Sequence, residues 1–192
     1  MNKYKNKTLI ILSVFLSGIV YAAPTTKNYS INKQDFKLSL PEKWIEEKDF
    51  LGTPLTYLAP KEEDKPRAVI LIAPMGEQDK NGIIDGVSKS SEKFKKGREE
   101  WATEMFADIL SFDNYKTEKW EGIDKAHFFG FHYEGADGRF YERTIYVQCA
   151  GNQFYYVKSV VPAESESEQN DNVDQTIKSL KCEKKSASVA KN

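Results

Sequence analysis

Phe140-Tyr-Glu-Arg-Thr-Ile-Tyr-Val-Gln-Cys149, then Ala150-Gly-Asn152, then Gln153-Phe-Tyr-Tyr-Val-Lys-Ser-Val-Val161 is the stretch that decides the fold. Two runs rich in β-branched and aromatic residues flank a three-residue connection, and Pro162 stops the second run. That is a strand, a tight return and an antiparallel strand. Upstream, Ala126 to Tyr133 reads as another strand, followed by a turn at Gly135-Ala-Asp-Gly138, and Tyr115 to Trp120 as a weaker one. The second half of the chain is therefore a meander.

The first half supplies the rest of the sheet. Asp35-Phe-Lys-Leu-Ser-Leu40 alternates strictly, with Phe36, Leu38 and Leu40 on one face, and Pro41 ends it. Leu55 to Ala59 reads as a strand ended by Pro60. Arg67-Ala-Val-Ile-Leu-Ile-Ala73 is a continuous apolar run, typical of a strand covered on both faces. Two helices complete the pattern. Ser90 or Ser91 caps the first, with Glu92 in its first turn. Phe94, Trp101, Met105 and Ile109 form its apolar stripe, widened by Ala102, Phe106 and Leu110. Val173, Ile177 and Leu180 mark a short C-terminal helix. The order predicts an α+β fold: an antiparallel sheet of about six strands with helices packed against it.

The N-terminus sets the compartment. Lys3, Lys5 and Lys7 precede an apolar run from Leu9 to Val20, and Val20 and Ala22 are small residues before Ala23. This is the layout of a secretory signal peptide, with cleavage expected between Ala22 and Ala23. The run is too short to span a bilayer, which takes about 20 apolar residues. The expected organisation is a signal peptide over 1–22, an N-terminal tail over 23–29, a single domain over 30–183 and a polar C-terminal tail over 184–192. The exported part carries 25 Lys and Arg against 29 Asp and Glu, a net charge of −4. Such a mixed, weakly acidic chain does not point to nucleic acid. No second stretch reaches transmembrane length, and nothing in the sequence sets an oligomeric state. The expected location is periplasmic or secreted.

Cys149 and Cys182 both lie in the exported part, so one disulfide is expected. Topology agrees. A helix after Pro162 that packs back across the sheet ends at the sheet edge where Cys149 sits. The bridge would close a loop of 34 residues, for which the chain-entropy relation gives roughly 3–4 kcal/mol.

Catalytic and cofactor signatures are few. His127 and His132 are five apart in a strand, so they point to opposite faces and do not share one metal site. Asn170-Asp-Asn-Val-Asp174 is faintly like a calcium loop, but it lacks the glycine and terminal glutamate of one and reads as a helix start. Glu100, Glu104 and Asp108 share a helix face and read as solvated. There is no nucleophile elbow, phosphate loop or Cys-x-x-Cys, and no cofactor is expected. Met75 to Ser91 is the longest irregular stretch, and its apolar pair Ile83 and Ile84 is the candidate partner-binding site.

Phe36-Lys-Leu-Ser-Leu-Pro-Glu-Lys-Trp44 resembles the opening of the PsbP-like superfamily: an alternating strand, then Pro, one or two polar residues and Trp. Arg143-Thr-Ile-Tyr-Val147, Gly151-Asn-Gln-Phe-Tyr155 and the helix with Val173, Ile177 and Leu180 match that family's end. The resemblance covers roughly residues 30–181. Its members include a photosystem II extrinsic subunit, a Ran-binding import factor and DcrB-type envelope proteins. It implies an antiparallel sheet between helices, a role in binding other proteins, and no shared catalytic residues. The expected function is thus a non-enzymatic exported accessory protein whose partner is another envelope or secreted protein. The alternatives are a small-ligand binder that uses the strand aromatics and a hydrolase with a dispersed site.

Overall fold

The computed structural model describes residues 25–31, 34–50, 52–63, 65–75, 91–149 and 153–183. The main sheet has eight strands rather than six. Its order is β3 (Ile45–Phe50), β4 (Thr53–Leu58), β5 (Val69–Pro74), β10 (Gln153–Pro162), β9 (Gly138–Cys149), β8 (Ile123–Gly135) and β6 (Asp108–Phe112), with β7 (Lys116–Trp120) also pairing with β8. A second sheet has the order β1 (Thr25–Ile31), β2 (Gln34–Leu40), β11 (Lys181–Cys182). Every pairing is antiparallel.

Four of these strands escaped the sequence pattern for physical reasons, the two-residue β11 because it is too short to show a period. β1 is polar and largely exposed, so the stretch expected to be a tail shows no alternation, yet Thr25 pairs with Leu40 and Ile31 with Gln34. β3 is an edge strand, and its Glu46, Glu47, Lys48 and Asp49 suit an edge better than a core. β6 lies where the helical stripe was expected to continue.

The first helix, α1, spans Ser91–Glu104 and stops short of Met105. The Phe106 amide donates to the Thr103 carbonyl and the Ala107 amide to the Ala102 carbonyl, at 3.5 and 2.9 Å. This pair of bonds is a Schellman exit. It turns the chain sharply into β6, so Ile109 and Leu110 belong to a strand, and Asp108 opens that strand instead of continuing a helix face. The second helix, α2, spans Glu166–Ser179, begins seven residues before Val173, and follows a single 3-10 turn over Ala163–Ser165. Asn170 to Asp174 are interior to α2, not its start.

The period-2 pattern assigns the faces. Phe128, Ile145, Val147, Tyr155, Val157 and Val161 point to one face of the main sheet. There they meet Phe36, Leu38 and Leu40 from β2 and Val173, Ile177 and Leu180 from the C-terminal segment, all almost fully buried. Phe36 packs on Tyr155 with ring centroids 5.2 Å apart. Helix α1 lies on the other face, where Phe94 meets Phe129 and Trp101 meets Phe131 and Tyr133.

Cys149 and Cys182 are bridged, with their Cα atoms 5.8 Å apart. β11 pairs Cys182 with Phe36, and the Trp120 indole donates to the Leu180 carbonyl at 2.9 Å, so the end of α2 is fixed from two sides.

Candidate interaction surface

Glu142, on the α1 face of β9, is almost fully buried. A buried carboxylate needs partners. Lys158 of β10 supplies one at 2.7 Å and Arg98 of α1 another at 3.5 Å. Arg98 also lies over the Phe94 and Trp101 rings. Burial, with the Glu142 charge adding, pushes the Tyr133 and Tyr156 hydroxyls up to about 12, so both stay neutral. This ion triad and the aromatic clasp around it hold α1 on the sheet. The strand aromatics Phe129, Phe131 and Tyr133 are therefore used in packing.

A second polar seam lies on the opposite face. Arg143 pairs with Asp174 and reaches Asn170 at 3.4 Å, which explains those two helix residues without a metal. His132 stacks on Tyr141, with Ser111 at 3.3 Å from Nδ1 and Glu166 at 3.2 Å from Nε2. Hydroxyl, imidazole and carboxylate stand in the order of a nucleophile relay. The row links β6, β8 and the start of α2. The nearby cavity, lined by Asp113, Tyr141, Arg143 and Asp174, measures only about 60 Å³. His127 faces the other side, as its spacing predicts. It is buried, and Tyr115 Oη lies 2.7 Å from its Nδ1. Burial, with the Lys125 charge adding, holds its pKa below the ordinary histidine value.

A larger cleft, of about 240 Å³, opens between the β4–β5 connection and the 3-10 turn. Ala59, Pro60, Lys65, Arg67, Pro162 and Gln169 are among its lining residues, and none of the strand aromatics is. It is small and polar beside typical ligand pockets of roughly 300–1,000 Å³. Among the described residues, no group of three or more His, Cys, Asp or Glu is placed to hold a metal ion. No helix among them is long and apolar enough to cross a membrane.

The unusual surface feature is at the exit of α1. Phe106 is 95% exposed, Met105 59% and Leu110 49%. Phe106 also has φ +52°, the left-handed region. For a bulky L-residue this conformation costs about 1–2 kcal/mol, and glycine is the usual occupant of this helix-exit position. The side chain gains almost no burial in return. Sequence reasoning placed Met105, Phe106 and Leu110 in the core because their spacing fits a helical stripe. Ile83 and Ile84, the candidate pair from the sequence, lie outside the described residues, as do the expected signal peptide and its cleavage site.

The architecture, a large antiparallel sheet with one helix on each face and a small sheet packed beside α2, is the PsbP-like fold. The chain is similar to cyanobacterial PsbP (CyanoP) from Synechocystis sp. PCC 6803, with a TM-score of 0.55 and 12% identity over 85% of this chain and 94% of that one. It is also similar to LpqN of Mycobacterium tuberculosis, a protein involved in cell envelope biogenesis, with a TM-score of 0.54 and 10% identity over 83% of this chain and 91% of that one. At such identities the likeness is one of fold alone. No protein-family model and no curated protein sequence matches the chain.

Proposed function

We propose that this chain is an exported, non-enzymatic accessory protein that binds another protein of the envelope or a secreted one. One observation carries the reading: a fully exposed phenylalanine held in a strained backbone conformation, where glycine would serve the fold better. Strain retained without a packing gain is the mark of a site shaped for something outside the domain. Aromatic anchors of this kind dominate protein interfaces. The leader, the disulfide and the fold shared with an envelope-biogenesis protein support the compartment. Ile83 and Ile84 are proposed as a second contact on the strength of their sequence alone.

The experiment is site-specific photo-crosslinking in the cell envelope, with a phenylalanine analogue at position 106 and, as control, at the exposed Lys119. Adducts to a second protein from position 106 but not from 119 are expected. Equal labelling from both positions, or none from 106, refutes protein binding at this surface.

A further inference from the structure

Three features around Phe106 are locally unfavourable, and all three concern the same few residues. The first is the left-handed backbone at Phe106 itself. The second is charge. The last turn of α1, Trp101-Ala-Thr-Glu104, carries Glu104 and no Lys or Arg, and Asp108 follows two residues after Phe106. A helix C-terminus carries a partial negative charge and favours cations, so carboxylates there are misplaced. The third is pairing. Asp108 stands directly opposite Glu134 in the β6–β8 ladder. Like charges in cross-strand register repel. Glu134 finds Arg139 at 3.0 Å, whereas Asp108 is exposed at the free side of an edge strand.

The result is an apolar tip, Met105-Phe106, beside Glu104 at the negative end of a helix, with Asp108 and Leu110 exposed on the strand that follows. One class of surface suits both the exposed ring and the carboxylates. An apolar pocket buries the ring, and a basic rim neutralises Glu104, Asp108 and the helix end. We infer that the partner presents a hydrophobic pocket ringed by Lys or Arg, into which Phe106 inserts. This rests on the protein-binding reading above. The same carboxylates disfavour an anionic lipid surface and a two-fold contact of the tip with its own copy, since both would bring like charges together.

The test uses a phage-displayed library of random dodecapeptides, selected on the purified protein and counter-selected on Phe106→Gly. Surviving peptides are expected to combine a Phe, Leu, Ile or Met anchor with at least two Lys or Arg. Their affinity for the Glu104→Gln/Asp108→Asn double variant should fall roughly five- to tenfold at low salt, a gap that closes at high salt. Peptides that need Phe106 but lack basic residues, or that bind the double variant equally well, overturn the basic-rim inference and leave protein binding standing. A selection that yields no Phe106-dependent peptide also overturns it, and the cross-linking result then decides protein binding separately. Co-flotation with phosphatidylcholine vesicles, or self-association at micromolar concentration, that Phe106→Gly abolishes assigns the tip to a lipid surface or a second copy and overturns it too.

Discussion

Tyr141 donates its hydroxyl to Oδ2 of Asp113 at 2.5 Å, reaching over β8 where Gly130 leaves the space open. A Cβ at Gly130 would overlap that carboxylate oxygen and lie 2.9 Å from Asp113 Cγ and 3.0 Å from the Tyr141 hydroxyl. The Asp113 amide also donates to the Gly130 carbonyl at 2.9 Å, so the aspartate stays over Gly130 and can retreat only by turning its side chain away from Tyr141. Gly130→Ala should therefore destabilise the protein by about 1–3 kcal/mol, the scale of overpacking. Gly130→Ala/Asp113→Gly should recover part of the loss. Urea denaturation of the three proteins measures it, and an additive double variant contradicts the contact.

Phe106→Gly should behave in the opposite sense. It relieves the left-handed strain and removes a side chain that is already 95% exposed, so stability should rise by about 1 kcal/mol. A shift of the denaturation midpoint to higher urea with an unchanged slope is the expected result. A destabilised variant would mean that Phe106 packs within the domain.

His127 gives the fold a pH dependence whose sign is fixed by its burial. Its native pKa lies below the ordinary value near 6.5, so in mildly acid solution the unfolded chain takes a proton that the native state resists. The stability associated with neutral His127 is fully present above pH 6.5 and is lost as pH falls through and below that value. Glu118, held low by its hydrogen bond to Lys116, titrates only in more acid solution. Melting temperatures between pH 7 and 5 should fall in the wild type and fall less in His127→Phe. Equal slopes would contradict the assignment.

Removing the bridge with Cys149→Ala/Cys182→Ala should cost about 3–4 kcal/mol, the entropy of a loop with sequence separation 33. The domain should still fold, because the core around Phe36, Ile145 and Tyr155 does not depend on the sulfurs. Near-ultraviolet circular dichroism distinguishes a weakened native state from an unfolded one.

What was legible in the sequence was whatever one buried face dictates. Phe36, Leu38 and Leu40 alternate because β2 has one side in the core, and the strands 126–133, 140–149 and 153–161 carry the same imprint. β1 and β3 bear no such imprint, since their residues face mostly solvent and their stability comes from pairing. The interaction surface was hidden for a different reason. Helical and strand periods cannot be separated over the five residues Asp108–Phe112, so an apolar stripe at helical spacing ran past the true helix end. The signal against it was chemical: Glu104 and Asp108 bracket Phe106, and a helix interior in that place would bury its stripe beside two uncompensated acids.

β2 lies between β1 and β11, which belong to opposite ends of the chain, and Cys182 stands at the last described strand. During synthesis from the N-terminus, β2 emerges early and must wait for β11 until nearly all of the described chain has been made. The small sheet and the disulfide then close together as a late event in folding. Until then the Phe36, Leu38 and Leu40 face and the Cys149 sulfur lack part of the cover that the native fold gives them.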